Sequence, residues 1–338
     1  METKKDILIA TGIYPPKIGG PAQYGKNLKT EFEKMGHTVK IETYLTEDKL
    51  PSGVRHLFFF FKIIPKVINS DIVFILDTFS VGLPAVLACE LFGKKSIIRT
   101  GGDFLWEQYV ERTGKKVLLR NFYEQEKNNF NLKEKIIFSL TRLTLLNASR
   151  IIFSTEWQRD IFVKAYGLEI GKTSIVENYY GPKEKSTEPK TKLFIASTRQ
   201  LKWKNIEVLK KIFDKIKLKE SGVELFTDTI PFPDFINKIK NSYAVIQVSL
   251  GDISPNLILD SIRCNKPFIC TKETGIFSRI KDAGIFVDPL NEEEIEQAVM
   301  NLLNENEYEK AKEKVKQFSF VHTWENIANE FINVYKNI

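Results

Sequence analysis

Short apolar runs alternate with longer stretches of helical character along the first half of the chain. Helical patterns cover about 21–35, 84–92 and 104–148. Between them lie apolar runs of the length typical of buried strands: Ile7–Ala10, Val39–Thr43, Ile72–Leu76, Ser96–Arg99 and Ile151–Phe153. Strands that alternate with helices favour a parallel sheet with helices on both faces.

The same pattern restarts after a polar stretch. Residues 178–192 carry Gly181, two prolines and many charges, which is typical of a linker. The strand Leu193–Ala196 then opens a second series, which continues at Ala244–Val248 and 266–271. We therefore predict the α/β fold class with two Rossmann-like domains, in which ligands bind at the carboxyl ends of the strands in the cleft between them.

Two carboxylates surround a predicted helix start after the strand Ala244–Val248. Ser254 is a favourable N-cap and Pro255 fits the first helical position. Asp252 would then lie just before the helix, and Asp260 about a turn and a half inside it. A helix N-terminus attracts phosphate, and carboxylate oxygens accept hydrogen bonds from ribose or hexose hydroxyls. The combination predicts a site for a sugar nucleotide.

The composition is that of an ordinary globular enzyme. The 338 residues correspond to about two domains of roughly 150 residues each. Three cysteines without metal-ligand spacing favour a reducing compartment. The longest apolar run, Leu57–Ile68, is shorter than the roughly 20 residues that span a bilayer. The N-terminus runs into a strand without a signal peptide, so we expect a cytoplasmic protein.

Positive charge is concentrated in the first half. Residues 1–180 hold 26 basic and 20 acidic side chains, against 24 and 23 in the remainder. The densest part, Arg112–Lys135, holds seven basic and three acidic residues. It is either a solvated helical face or a contact with an anionic acceptor or membrane surface, the latter placing the protein peripherally at the inner membrane face. No nucleic-acid-binding motif accompanies the net charge of +7, so no nucleic-acid partner is expected.

Short motifs follow one another along nearly the whole chain in the order and spacing of one enzyme family. They are Tyr14–Pro16 with Gly19–Gly20, Gly36–Val39, Ser154–Gln158, Glu177–Asn178, Arg199 with Lys204–Asn205, Ser254–Asn256, Lys266–Pro267 and Val287–Pro289. In these motifs the chain resembles the retaining glycosyltransferases of the GT-B fold, of the family 4 (glycosyltransferase group 1) type.

The resemblance implies two Rossmann-like domains that face a cleft. It implies an acceptor-side domain at 1–180, a nucleotide-sugar donor domain at 181–317 and a helix at 318–338 that returns to the first domain. A simple domain-capping helix is the alternative for the last segment. The short spacing from Lys204 to the strand at Ala244 indicates a trimmed donor domain.

The resemblance also implies the chemistry. A nucleotide diphosphate sugar would be the donor substrate, a sugar or lipid-linked sugar the acceptor, and neither cofactor nor metal is expected. Arg199, Lys204 and Asp252 would be catalytic, the two cations neutralising charge on the departing diphosphate. The residues implied in donor binding are Gly19, Gly20, Asp103, Ser254, Pro255, Asn256, Leu257 and Asp260. Surface cations, turn glycines and dipole-favoured acids are the corresponding structural alternatives.

The chain departs from the family at three points. Both glutamates of the usual E-x7-E pair are aspartates, the glycine usual before Lys266 is Asn265, and the second domain is short. Asn265 can still adopt the left-handed conformation. We expect a glycosyltransferase of cell-surface polysaccharide or glycolipid synthesis. A GT-B sugar-nucleotide epimerase and a non-catalytic sugar-nucleotide-binding protein are the alternatives. An oxidoreductase is disfavoured because the chain lacks Gly-x-Gly-x-x-Gly.

Overall fold

Two compact units make up the protein. The computed structural model describes residues 4–17, 19–44, 49–196 and 200–338. The first unit consists of the chain up to Leu105, Asn128–Tyr179 and His322–Ile338, and the second of Trp106–Lys127 and Tyr180–Val321. The chain therefore passes from one unit to the other four times.

A six-stranded sheet forms the centre of the first unit. Its strands are β1 (Asp6–Thr11), β2 (Thr38–Thr43), β3 (Ile72–Ile75), β4 (Ser96–Arg99), β5 (Arg150–Phe153) and β6 (Thr173–Ile175). They lie in the order β2-β1-β3-β4-β5-β6, and all neighbours are parallel. The first five lie where the apolar runs predict them. The sixth is not predicted, because Thr173 and Ser174 leave it almost without apolar residues.

Capping signals mark some of the helices up to the end of the first sheet, whereas the helix at 52–68 lies where none is predicted. These helices are α1 (Gly20–Lys34), α2 (Ser52–Ile68), α3 (Gly82–Leu91), α4 (Phe104–Thr113), α5 (Phe122–Glu126), α6 (Leu132–Asn147) and α7 (Glu156–Tyr166). A capping box of Asn131 and Glu134 starts α6. Thr155 caps α7, which ends at Gly167 in the left-handed conformation.

A five-stranded parallel sheet forms the centre of the second unit. Its strands are β7 (Lys192–Ile195), β8 (Val223–Phe226), β9 (Ala244–Gln247), β10 (Phe268–Thr271) and β11 (Ile285–Val287). The helices of the remaining chain are α8 (Ile206–Lys219), α9 (Phe232–Asn241), α10 (Asn256–Arg263), α11 (Phe277–Ile280), α12 (Glu292–Leu302), α13 (Glu305–Gln317) and α14 (Trp324–Lys336). The sheet order is β11-β10-β9-β7-β8.

Both sheets have the same connectivity. In each sheet the first strand lies between the second and the third, so β1 separates β2 from β3 and β7 separates β8 from β9. The connection that leaves β1 therefore runs towards one edge of its sheet and the connection that leaves β3 towards the other, and the same holds for β7 and β9. Such a switch point, at the carboxyl ends of the strands, is where open α/β sheets bind ligands.

Each unit has its own apolar core. In the first, Phe74 of β3 stacks on Phe32 of α1 at 5.3 Å and meets Phe331 of α14 at 5.1 Å, measured between ring centroids. In the second, neighbouring residues of β7 serve opposite faces of the sheet: Phe194 belongs to one apolar cluster and Ile195 to the other. Because successive side chains of a strand point to opposite faces, both faces of this sheet carry apolar residues that pack against helices.

None of the helices in the described ranges combines the length and apolar character needed to cross a bilayer.

The chain crosses between the units near residues 180 and 318, where domain boundaries are predicted, and also at 106 and 127, where none is predicted. The chain enters the second unit between Tyr179 and Tyr180 and leaves it between Val321 and His322. Residues 181–191 form neither helix nor strand, as expected of a linker. The prediction, however, assigned all of 1–180 to the first domain. Residues 106–127 belong to the second unit, through tertiary contacts that a local pattern does not reveal.

The last helix, α14, packs in the first unit, as predicted for a returning helix. Trp324 meets Tyr24 of α1 edge to face, with 5.0 Å between ring centroids, and stacks on Tyr179 at 5.5 Å. Aromatic pairs of this kind contribute about 0.5–1.5 kcal/mol beyond the burial of their area. The C-terminal segment is therefore part of the first unit's core.

His322, directly before α14, adds a charged contact to this packing. Its Nδ1 lies 3.0 Å from the carbonyl oxygen of Asn178, and its Nε2 lies 3.2 Å from Oε1 of Glu330. Burial, the largest influence on the His322 pKa, lowers it. The hydrogen bonds with Glu330 and Asn178 and the charges of Glu330 and Glu177 together outweigh burial, so the pKa is raised.

We expect the anchoring of α14 to weaken as the pH rises. Because the folded-state pKa of His322 is raised, its contribution is complete below the unfolded pKa of about 6.5 and is lost as the pH rises through the folded value. His322→Gln should reduce hydrogen-exchange protection of 324–336 by about 1 kcal/mol at acidic pH and little at alkaline pH. Exchange of both proteins, compared at each pH, measures this difference.

Glu330→Gln provides the matched control for the charge. It removes the carboxylate but keeps the ring of His322, and should flatten the pH dependence in the same way. A difference between wild type and His322→Gln that stays constant from acidic to alkaline pH would contradict the assignment.

Candidate functional site

An ion pair lies at the switch point of the second sheet. Lys204 follows β7 and Asp252 follows β9, and Nζ of Lys204 donates to Oδ2 of Asp252 at 2.6 Å. Both side chains are largely buried, with 11% and 13% of their surfaces exposed. Two residues predicted separately to be catalytic are thus brought together at the edge of the sheet where ligands are expected.

Gln247, the last residue of β9, shares the same carboxylate. Its Nε2 donates to Oδ2 of Asp252 at 2.6 Å, and it is itself buried. Sequence reasoning did not single out this residue. A polar side chain ending an otherwise apolar strand was the signal that could have identified it.

The backbone of Asp252 is fixed by the loop after β10. Its N–H donates to the carbonyl oxygen of Glu273 at 2.9 Å, and its own carbonyl accepts from Gly275 N–H at 3.1 Å. Asp252 also forms a parallel bridge with Thr274. The carboxylate therefore sits on a loop held from both sides, which preorganises it for binding.

Lys204 lies on an aromatic platform. Its Nζ is 4.2 Å from the ring centroid of buried Trp203, a cation–π contact. Trp203 in turn packs against Trp106, with 5.4 Å between ring centroids. The carbonyl oxygen of Trp203 accepts from Leu250 N–H at 2.8 Å, which ties the loop after β7 to the loop after β9.

Residues 106–127 are fastened across these same loops. Arg120 Nε donates to Oε2 of Glu273 at 2.6 Å, and Leu119 N–H donates to the carbonyl oxygen of Leu250 at 3.3 Å. A Cβ on Gly251 would lie 2.6 Å from Cβ of Leu119, so only glycine allows this close approach. The segment that prediction placed in the first domain therefore covers the loops that carry Lys204 and Asp252.

Helix α10 begins one residue later than predicted. Its N-cap is Pro255 in an extended conformation, and Asn256 is the first helical residue. Ser254 is not the N-cap; its buried Oγ has no hydrogen-bond partner within the described residues. Leu257 packs partly buried against one of the unit's cores. The helix start still follows Asp252 directly, but without a capping side chain its first N–H groups are available to an anionic ligand.

Asp260 lies apart from the ion pair, further along α10. Its Oδ1 is 3.2 Å from the guanidinium of Arg263, which also contacts Glu184. Burial raises the pKa of Asp260 to about 6; Arg263 opposes the rise and Glu184 adds to it. Among the described residues the partner of this carboxylate is Arg263 rather than Lys204, so the structure does not join the two predicted carboxylates in one cluster.

Two further motifs have structural roles in the second unit. Asn205 is left-handed, with φ 61°, and its Nδ2 donates to the carbonyl oxygen of Pro289 at 2.8 Å. Asn265 adopts the predicted left-handed conformation, with φ 52°. The Nζ of buried Lys266 donates to the carbonyl oxygen of Thr187 at 2.7 Å, and burial lowers its pKa to about 8. The Nδ2 of Asn265 also donates to the carbonyl oxygen of Glu184 at 3.1 Å. Asn265 and Lys266 thus both hold the linker against the second unit.

Arg199 lies outside the described residues, so its predicted role beside Lys204 stays a prediction. A cavity of about 350 Å³ borders the next part of the loop, and Gln200, Leu201 and Asn205 contribute to its lining. Neither Lys204 nor Asp252 lines this cavity. We therefore base the candidate site on the ion pair and the switch point. Among the described residues no cluster of His, Cys, Asp and Glu could hold a metal ion.

The predicted glycines lie at the switch point of the first sheet. Gly19 is the N-cap of α1 and Gly20 its first residue, and α1 is the connection that follows β1. No side chain caps this helix start. A Cβ on Gly19 would lie 2.7 Å from Cδ1 of Ile13, so the loop is packed closely. The placement agrees with a phosphate-binding loop and equally with a structural turn.

Two predicted motifs of the first unit, Ser154–Gln158 and Glu177–Asn178, meet at Arg99, the last residue of β4. One of its terminal nitrogens donates to Oγ of Ser154 at 3.0 Å and to Oδ1 of Asn178 at 2.6 Å. The guanidinium also lies over the ring of Tyr24, 4.0 Å from its centroid. Asp103, which follows the same strand, is buried just before α4. These motifs therefore support the loop that carries Asp103.

The basic region Arg112–Lys135 is divided between the units. Its residues up to Lys127 belong to the second unit and the rest to the first. Arg120 pairs with Glu273 and Lys115 with Glu126 at 2.8 Å, while Lys116 approaches Glu292 at 3.9 Å. Several of the predicted surface charges are thus already compensated.

Comparison with known proteins places the fold. No protein-family model matches the chain, and no curated protein sequence matches it. Sucrose-phosphate synthase from Thermosynechococcus elongatus matches with a TM-score of 0.69 at 12% identity, over 99% of each chain. WaaG, a glycosyltransferase involved in lipopolysaccharide biosynthesis, matches with 0.69 at 12% identity, over 97% of this chain and 99% of that one.

Other solved structures extend the comparison. HepE from Anabaena, in complex with UDP-glucose, matches with a TM-score of 0.68 at 12% identity, over 99% of this chain and 100% of that one. A Listeria monocytogenes protein assigned as a UDP-N-acetylglucosamine 2-epimerase matches less closely, with 0.61 at 13% identity, over 99% of this chain and 96% of that one. At these identities the likeness shows the fold alone, and the protein has the GT-B fold of these glycosyltransferases.

Proposed function

We propose that the protein is a retaining glycosyltransferase that moves a sugar from a nucleotide diphosphate sugar to an acceptor hydroxyl. The observation that carries the proposal is the Lys204–Asp252 pair at the switch point of the second sheet. It occurs in a fold shared with a protein that binds UDP-glucose. A lysine alone at this edge could bind any anion. A lysine beside a carboxylate can bind a ligand that carries both phosphate and hydroxyl groups, because the ammonium pairs with phosphate and the carboxylate accepts hydrogen bonds from hydroxyls.

In the proposed reaction the bond between the anomeric carbon and the diphosphate oxygen breaks. The acceptor oxygen forms the new bond on the same face, and its proton passes to the departing phosphate, as the family resemblance implies. Lys204 would leave Asp252 for the diphosphate and stabilise its developing charge, together with Arg199. Since these cations supply the charge, transfer should continue in EDTA. Complete loss with rescue by magnesium would contradict this mechanism.

Asp252 would then accept hydrogen bonds from hydroxyls of the transferred sugar. Gln247 donates to the same carboxylate oxygen and would keep the carboxylate in place when Lys204 moves. The glycine loop Gly19–Gly20 and Asp103 would contribute from the first unit, and the start of α10 at Ser254–Leu257 from the second. Asp260 would bind the ribose hydroxyls.

We propose a sugar or a lipid-linked sugar as the acceptor, in cell-surface polysaccharide or glycolipid synthesis. The likeness to a glycosyltransferase of lipopolysaccharide biosynthesis supports this proposal. Contact of Arg112–Lys135 with an anionic acceptor or membrane stays a prediction, which the carboxylate partners of that region weaken.

The likeness to the Listeria protein keeps a sugar-nucleotide epimerase as the second candidate. Such an enzyme converts the sugar nucleotide without an acceptor, so incubation with UDP-N-acetylglucosamine alone distinguishes the two. A non-catalytic binding protein would bind the donor and neither hydrolyse nor transfer it.

Replacing Lys204 should reduce transfer far more than stability. Lys204→Ala removes the cation from the leaving group, and we expect a loss of about 2–4 kcal/mol in transition-state stabilisation, or roughly 30- to 10³-fold in kcat. Arg199→Ala should have an effect of similar size. Turnover of UDP-, GDP- and ADP-sugars, screened first by thermal shift, measures the change.

Lys210→Ala is the matched control, because Lys210 lies at the surface of α8. Its Nζ is 3.2 Å from Oε1 of Glu207 and 3.5 Å from Oε1 of Gln200. It should retain wild-type turnover. Unchanged turnover in both Lys204→Ala and Arg199→Ala would remove the leaving-group role.

The pKa of Asp260 predicts opposite pH trends for stability and donor binding. Because burial raises the folded-state pKa to about 6, this group's contribution to stability is complete below the unfolded value near 3.8 and is lost as the pH rises through about 6. The ionised form is the better acceptor for ribose hydroxyls. Nucleotide affinity should therefore increase several-fold over the window in which the stability of the free protein declines.

Asp260→Asn, which has the same size and no titration, should remove this group's contribution to both trends, while His322, whose pKa is also raised, still lowers stability as the pH rises. Calorimetric titration of UDP and denaturant unfolding, each across about pH 4.5–7.5, provide the two measurements. If the affinity of the Asn variant follows the same pH curve as wild type, Asp260 does not bind the nucleotide.

A further inference from the structure

Helix α2 is apolar on two sides and buries only one of them. Its inward face consists of Phe59, Ile63 and Val67, all fully buried. The outward face carries five exposed apolar side chains, with exposed fractions from 44% to 63%: Val54, Leu57, Phe58, Phe61 and Ile68. Their spacing of three, one, three and seven residues aligns them in one stripe along the helix. Scattered exposed apolar residues are ordinary, but a continuous stripe marks an interaction surface.

The neighbouring helix extends this surface. Leu91 at the end of α3 and Phe92 directly after it are 63% and 40% exposed. A shallow cavity of about 400 Å³ lies between α2 and α3, lined by Phe60, Leu87, Glu90 and Leu91. All of these residues belong to the first unit, so the surface is complete within it.

Basic side chains outnumber acidic ones around the stripe: α2 contributes three cations, while Glu90 of α3 contributes a carboxylate at the cavity. Helix α2 contains Arg55, Lys62 and Lys66 and no Asp or Glu. Lys62 and Lys66 both pair with buried Glu42, which leaves a net positive charge beside the stripe. Nζ of Lys94 donates to the carbonyl oxygen of Ser70 at 3.0 Å, just beyond the helix end, and adds a further cation there.

We propose that this face of α2 docks the protein on an anionic lipid surface, with the stripe inserted among the headgroups and the flanking basic side chains in contact with phosphate. A helix with Phe and Leu on one face and Lys or Arg beside it is the type that lies in a membrane interface. The proposal goes beyond glycosyl transfer and does not depend on it, because vesicle binding is measured without a donor.

The size of the stripe favours lipid over a second copy of the chain. From Val54 to Ile68 a helix rises about 21 Å. With a width of about 10 Å the stripe covers roughly 200 Å², and Leu91 and Phe92 extend it by two side chains, which still leaves the surface well below the roughly 800 Å² per partner of a stable protein interface. A row of exposed aliphatic and aromatic side chains needs no complementary pocket when it inserts into a soft surface.

Co-sedimentation of the full chain with vesicles tests the proposal. We expect binding to vesicles of phosphatidylcholine with phosphatidylglycerol, weakened at high salt and weaker with phosphatidylcholine alone. The triple variant Leu57→Ser, Phe58→Ser, Phe61→Ser should bind about tenfold less or not at all. Leu218→Ser with Phe232→Ser is the matched control, because both residues are highly exposed in the second unit, and it should bind as wild type.

A second measurement reports insertion directly. The added tryptophan fluorescence of Phe61→Trp should be quenched by vesicles with brominated acyl chains. Wild-type binding by the triple variant, or loss of binding only in Lys115→Glu with Lys116→Glu, would overturn the proposal in favour of the Arg112–Lys135 region. A concentration-dependent dimer that the triple variant converts to monomer, without vesicle binding, would show that a second copy covers the stripe.

Discussion

Parallel strand pairing is the constraint from which the candidate site follows. Every connection between parallel strands must cross back over the sheet, so all carboxyl ends collect at one edge. The connections of β7 and β9 diverge at this edge, and their loops carry Lys204 and Asp252. Lys204 and Asp252 are 48 residues apart in sequence, yet they meet there at 2.6 Å. Two charges so little exposed to water stabilise each other only because the loops hold them in contact.

Many of the helices and strands could be predicted because they depend on local patterns, although β6 and α2 were not. The strand at β9, the left-handed Asn265 and the helix at α14 each follow from a few neighbouring residues. The details of the site depend on distant ones. Ser254 satisfies the rule for an N-cap, but the extended Pro255 occupies that position instead. Gln247 and Trp203 acquire their roles only through folding.

The short side chain of Asp252 makes its position depend on the backbone of its loop. A shorter side chain keeps its carboxylate close to its own backbone, so the position of the backbone decides where the charge lies. Asp252 has this support from Glu273 and Gly275 on the neighbouring loop. Arg120, from residues 106–127, reinforces Glu273 in turn. The cluster thus extends from the carboxylate of Asp252 to a segment more than a hundred residues away along the chain.

The four passages of the chain between its units constrain how the protein is synthesised and how it can be divided. Residues 106–127 leave the ribosome before the first unit has its last strands, and they wait for the second unit's sheet to form. The first unit in turn lacks α14 until translation is almost complete. Neither unit corresponds to a contiguous gene fragment. A chimera that exchanges the second unit with that of a homologue must therefore transfer 106–127 as well, or leave Trp203 and Gly251 without the surface they pack against.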